Sequence, residues 1–319
     1  MREQTKKDIY AAHAVGVEYD RACKRVFQNR EIIAPILQMV VPEYEGCTVK
    51  EVLRYIEEDT IRDVPVEDIP ERIEGMPKEL SSVTEKLIRY DVHFKCVNPG
   101  LTGAEICIHL HVDLEVQNDY RPRNPSYPII KRAIYYAVRE LSAQLGSLTE
   151  TTDYSALEKV YSIWICNKNV PLVLRDTLTS YSIRRTDLIG VTEEPEEEYD
   201  LLNVIMIRRG GKSKDKIFDF LRAVFDGEIG KLEEYTYISQ NAVLRQEVEH
   251  MSGLGASIYE EGMEQGIEKG MEQGVERATE NFIRRMFDGN ESLEKIATYA
   301  GCTVEEVLRI KETFEGDAE

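Results

Sequence analysis

A chain of 319 residues with 42% hydrophobic content is long enough for one substantial core and an appendage, two units at roughly 100–200 residues per domain. No run approaches the roughly 18 consecutive apolar residues of a membrane span, and Met1–Asp8 lacks the apolar core of a signal peptide, so no membrane contact is expected. The net charge of −19 excludes a protein that coats nucleic acid with a broad basic field, though not a local basic groove, because much of the excess sits in Glu193–Asp200 and after Glu260.

Val17–Val40 reads as an amphipathic helix, with Val26, Phe27, Ile32, Ile33, Ile36 and Leu37 interleaved with charges and a break or kink expected at Pro35. Asp59–Leu80 carries Pro65, Pro70 and Pro77 among many acids and reads as irregular. Two runs of period two follow. Leu87–Cys96 alternates Ile88, Tyr90, Val92, Phe94 and Cys96 with Arg89, Asp91, His93 and Lys95; Ile106–Gln117 alternates Ile108, Leu110, Val112, Leu114 and Val116 with His109, His111, Asp113, Glu115 and Gln117. Separated by Asn98-Pro99-Gly100 and Gly103, they predict an antiparallel hairpin.

Ile129–Leu145 reads as a helix with Ile130, Ala133, Ile134, Ala137 and Leu141 on one side; Val160–Cys166 and Leu201–Ile207 read as apolar strands and Ser213–Phe225 as a helix. This order predicts an α/β domain over 15–250 with a mixed central sheet flanked by helices, followed by a helical tail over 251–319. In the tail Gly262, Gly266, Gly270 and Gly274 recur every four residues, in phase with Met263, Ile267, Met271 and Val275; the alternatives are a solvated helix and a self-association helix. Ser292–Lys311 reads as two short helices around Ala300-Gly301-Cys302, with Thr303 capping the second; Glu305 and Glu306 open that helix and disfavour DNA reading. The cysteines Cys23, Cys47, Cys96, Cys107, Cys166 and Cys302 form no CxxC pair, which fits reduced thiols and a cytoplasmic address.

The chemistry-bearing residues gather on the hairpin. Alternation puts Glu115 and Gln117 on one face, and the partner strand brings Asp91 to the polar side opposite positions 111–115. Two carboxylates converging from adjacent strands suit Mg²⁺ or Mn²⁺, which takes one or two carboxylates and keeps several waters. Such an ion polarises a phosphate and activates water, and a polar group two residues beyond the second acid can orient that water. His93, His109 and His111 share the same face and open a rival reading as a transition-metal site. Arg121, Arg123, Lys131 and Arg132 form a basic cluster near this face.

The segments Asp20–Leu37 (DRACKRVFQNREIIAPIL), the Asp91 strand, His111–Asp119 (HVDLEVQND), Lys131–Leu145, Asp153–Cys166 and the glycine-periodic tail together resemble the Rpn family, the recombination-promoting nucleases or putative transposases of the PD-(D/E)XK superfamily. The resemblance covers roughly 17–175 and 255–312. It implies a restriction-endonuclease-like core and hydrolysis of DNA phosphodiester bonds with Mg²⁺ or Mn²⁺, linked to recombination or mobile elements. Asp91 then matches the metal-binding aspartate, Glu115 the second acid, and Gln117 stands where the superfamily name expects lysine. Glutamine offers no base, so it can only position water. Lys24, Arg121, Arg123, Arg132 and Gln144 become candidate DNA contacts, and Glu31 a water-mediated metal contact from the first helix. Two copies of a one-site nuclease would cut both strands, so a homo-oligomer is expected. The alternative is a non-catalytic interaction protein that keeps the scaffold and assembles through its acidic tail.

Overall fold

The computed structural model describes residues 2–57, 61, 92–100, 109–117, 120, 122, 126–147 and 153–316. It divides into two compact units, Met1–Gly255 and Ala256–Glu319.

The first unit opens with α1 (Arg2–Phe27) and α2 (Arg30–Val40). The break between them falls at Gln28–Asn29 rather than at Pro35. The Asn29 side chain accepts the Glu31 N–H at 3.0 Å and caps a new helix, whereas Pro35, although it lacks a backbone donor, sits buried inside α2 among Ile32, Ile33, Ile36 and Leu37. A short turn at Pro42–Tyr44 leads to α3 (Val49–Tyr55), opened by a reciprocal capping box between Thr48 and Glu51.

Five strands follow in one sheet: β1 (Val92–Val97), β2 (His109–Gln117), β3 (Val160–Cys166), β4 (Thr177–Ser182) and β5 (Leu202–Arg208), in spatial order β1-β2-β3-β5-β4. The expected antiparallel pairing of β1 with β2 is present, with Val92 opposite Leu114 and His93 opposite Asp113. β2, β3 and β5 are mutually parallel, and β4 closes the far edge antiparallel to β5. Connecting parallel neighbours requires a crossover, and α4 (Ile129–Ser147) provides it between β2 and β3.

Ile129, Ala133, Tyr136, Ala137, Glu140 and Gln144 recur at helical spacing and form the buried side of α4. The apolar members pack on Val160, Trp164, Val204 and Met206. On the opposite face of β3, Tyr161 Oη donates to Glu43 at 2.6 Å, so the chain following α2 covers that side. All of β3 is buried, as expected of a strand covered on both faces. Burying each of Ile163 and Ile165 there, and of Ile207 in β5, is worth about 1.5–3 kcal/mol relative to exposure. Past β5, α5 (Lys216–Asp226) buries Phe218, Phe220, Leu221 and Val224, and α6 (Ile229–Leu232) follows.

α7 (Ala242–Asp288) is a single 47-residue helix, so the domain boundary expected between 250 and 251 lies inside a continuous element. In the second unit, the end of α7, α8 (Leu293–Ala300) and α9 (Val304–Gly316) enclose Ile283, Ile296, Ala297 and Val307. Gly301 ends α8 at φ 68°, and Thr303 caps α9 by pairing with Glu306. No described helix is long and apolar enough to cross a membrane. Cys23, Cys47, Cys96, Cys166 and Cys302 are free thiols.

Candidate functional site

Glu115 lies in central strand β2, with Trp164 of β3 as its ladder partner and α4 over that face of the sheet. Only 3% of it is exposed. A buried carboxylate needs compensation, and Arg132, one turn into α4, places Nη2 3.9 Å from Glu115 Oε2. Arg132 is itself held firmly. Its Nε and Nη2 donate to Tyr136 Oη at 3.0 and 2.7 Å, and its guanidinium lies 4.9 Å from the Tyr136 ring centroid and 5.3 Å from that of Trp164. The two rings tilt against one another, and Trp164 Nε1 donates to Ser162 Oγ at 2.8 Å. Burial works against the Arg132 charge, but the Tyr136 hydroxyl and Glu115 outweigh it and hold the guanidinium above its ordinary value. A fixed acid with a fixed cation beside it can offer one hard oxygen to a metal ion and one positive charge to a phosphate.

The other predicted site residues divide into three groups. Asp91, Arg121 and Arg123 lie outside the described residues. Gln117 is placed by its backbone, opposite Cys166 at the carboxyl end of β2, and its side chain is outside the described set. Lys24, Glu31 and Gln144 have surroundings of their own. Lys24 is half-buried on α1. Glu31 Oε1 accepts from Asn241 Nδ2 at 3.2 Å, and the residue lines a cavity with Arg30, Lys50, Arg54 and Tyr237. Gln144 is 6% exposed and spans a backbone: its Nε2 donates to Glu158 O at 2.9 Å and its Oε1 accepts from Glu158 N at 2.8 Å. Those bonds tie the end of α4 to the chain entering β3.

His93 Nε2 lies 2.9 Å from Glu140 Oε1 on α4. Among the described residues no group of three or more His, Cys, Asp or Glu is arranged to hold a metal ion. Of the two expected metal-binding acids, Glu115 is described and buried, and Asp91 is outside the described residues.

The sequence reading missed the aromatic seat of Arg132. Tyr136 stands four residues after Arg132 on a helix, a spacing that brings the two side chains together, and this was the available signal. It also missed the basic turn beyond β5, Arg209–Lys214, where two glycines stand among three cations directly after an apolar strand. Comparison with protein-family models, with curated proteins and with solved structures found no match.

Proposed function

We propose that this chain is a divalent-metal-dependent DNA endonuclease on a restriction-endonuclease-like core, with Asp91 and Glu115 as its metal-binding acids. The supporting observation is Glu115 itself, a carboxylate withdrawn from water in a central strand and faced by an immobilised arginine. Val92 and Leu114, which neighbour Asp91 and Glu115 in the sequence, are ladder partners. Bound Mg²⁺ or Mn²⁺ supplies Lewis-acid chemistry at a phosphate. Glu115 contributes a hard oxygen, Arg132 neutralises phosphate charge, and Gln117 is assigned the positioning of water, since an amide can orient but not deprotonate it. Reduced thiols fit a cytoplasmic enzyme, and the resemblance to the Rpn nucleases gives the substrate class. Glu115→Gln, which keeps shape and removes charge, and Asp91→Ala are each expected to abolish Mg²⁺-dependent nicking of plasmid DNA; unchanged nicking in either variant overturns the assignment.

One observation favours a second reading, a scaffold that assembles with a second copy through its tail. A methyl group added at Gly262, Gly266, Gly270 or Gly274 meets nothing within 4 Å, so no contact among the described residues explains four residues that each cost a helix about 1 kcal/mol. Met263, Ile267, Met271 and Val275 beside them are 50 to 67% exposed. Replacing the four glycines with alanine is expected to strengthen the helix, by up to about 1 kcal/mol per site, and to dissociate the oligomer. Sedimentation of the variant measures this: an oligomer that persists with a stiffer helix removes the tail from the assembly.

A further inference from the structure

At the carboxyl ends of β3 and β5 lies a cavity of about 220 Å³, formed by Asn167, Asn169, Arg175, Arg209 and the Gly210–Gly211 turn. Ligands of open α/β sheets bind outside the carboxyl ends of the parallel strands. Roughly seven waters would fill the volume at about 30 Å³ each. That is tight for a drug-sized ligand but ample for one tetrahedral oxyanion.

The cavity is lined by cations whose carboxylates are distant or occupied. The Arg209 side chain is 16% exposed, and its nearest carboxylate, Asp226, stands 3.9 Å away and is itself 51% exposed. That separation is beyond hydrogen-bonding range. Arg209 Nη1 donates to Asn167 Oδ1, and its guanidinium stacks 4.4 Å from the Phe225 ring centroid, fixing its position. Asp176, the other nearby acid, has both oxygens committed to backbone, accepting Gly210 N at 3.0 Å and Lys212 N at 3.1 Å. Arg175 Nε donates to Val170 O at 2.9 Å, which orients that guanidinium. Lys168 adds a further charge above the Tyr19 ring. Burial holds Arg209 below its ordinary value with the Arg222 charge adding to the effect, and it holds Lys168 below its own with Arg209 adding. An anion would relieve both.

The backbone around the cavity is preset. Asn169, Asp176 and Gly211 all adopt left-handed φ, at 57, 56 and 83°. Such residues are uncommon outside glycine and persist where the surroundings determine them. A Cβ at Gly210 would stand 2.5 Å from Arg175 Cβ, so only glycine lets the turn close on the arginine.

We propose that this cavity is an anion site for a single phosphoryl group, held by the guanidinium groups of Arg175 and Arg209 against the Gly210–Gly211 turn. The group comes either from a small phosphorylated molecule or from a nucleic-acid backbone. The site does not rest on the nuclease reading, since none of its residues is assigned a catalytic part there.

Calorimetric titration of inorganic phosphate into the full-length chain, in metal-free buffer, tests the site. Saturable binding is expected, and Arg175→Gln should weaken it by at least about tenfold. Arg209 also packs on Phe225, so the deciding test is a matched pair at Gly211. There a Cβ meets nothing, and asparagine and aspartate, the residues best able to take a left-handed backbone, carry the same strain at φ 83°, so only the charge differs between them. Gly211→Asp should lose about tenfold in phosphate affinity while Gly211→Asn stays near the parent chain. Absent saturable binding, or equal affinities in those two variants, overturns the proposal. A single-stranded oligonucleotide that phosphate displaces, with the same ranking of variants, identifies a backbone phosphate as the source. Phosphate binding with that ranking and no competing oligonucleotide identifies a small phosphorylated ligand. Because no divalent metal is present, failure here leaves the Glu115 assignment standing, and loss of that assignment leaves this site standing.

Discussion

At the amino ends of β3 and β5 the chain gathers acids; at their carboxyl ends it gathers arginines and lysines. The amino-end cavity, about 480 Å³, is lined by Glu43, Glu158, Glu196, Glu197, Glu198 and Asp200, with Lys159 among them. Lys159 Nζ lies 2.7 Å from Glu43 and also bridges to Asp200, while Tyr161 Oη donates to Glu43, so two of these acids are satisfied from within. The carboxyl-end cavity has Arg175 and Arg209 in its lining with no carboxylate there. At one end a lysine of the chain answers two of the six acids; at the other the arginines line the cavity without an acid among them. A net charge of −19 therefore says little about the local field that a ligand meets.

Glu115 provides the sharpest way to break this contrast, because it sits two residues from the carboxyl end of β2. If that end of the sheet handles phosphate, Glu115→Gln should lower Mg²⁺-dependent nicking by at least about a hundredfold, the upper range for losing even an outer partner of a metal site. Phosphate affinity at the Arg175–Arg209 cavity should not change. Plasmid relaxation and calorimetry on one preparation check both statements. A joint loss would mean that the two features are one site.

How much of this was legible in advance depended on the kind of signal. β3 was readable to the residue because VYSIWIC is a continuous apolar run of strand length. β4 was not, since TLTSYS is a polar, half-exposed edge with no apolar face to betray its period. Alternation put Glu115 among the candidates, but only the placement of α4 revealed that it is buried against Arg132. The break ascribed to Pro35 belongs to Asn29, because a capping side chain offers an alternative to continuing the helix, while Pro35 sits inside α2 with its ring buried in the core. Helical spacing places Gln144 on the inward side of α4 but does not say that its amide meets the Glu158 backbone.

The amino end is tested by Lys159→Met, which keeps the aliphatic stem and removes the charge. Glu43 and Asp200 would then face each other without a cation, at a cost of about 2–3 kcal/mol in urea or thermal unfolding near neutral pH. Burial opposes the Lys159 charge, but Asp200 and Glu43 outweigh it and raise its pKa above the ordinary 10.5. A raised value means that the contribution is complete below pH 10.5 and is lost as pH climbs through the folded-state value. The gap between parent and variant should hence be constant through neutrality and close only in alkali. A gap that closes near neutral pH would show that the bridge does not carry the effect.

The smallest effect belongs to Gln144, which borders the same end through Glu158. Gln144→Ala removes a donor and an acceptor and strands the Glu158 N–H and C=O in a part-buried place. At about 1 kcal/mol per bond, a loss of about 1–2 kcal/mol is expected in chemical denaturation. DNA affinity and nicking should be unaltered, because the amide is spent on the backbone that leads into β3. A variant that folds as stably as its parent but binds DNA less tightly would return Gln144 to the DNA surface. It would also make the amino end of the sheet, for all its acids, part of the nucleic-acid path.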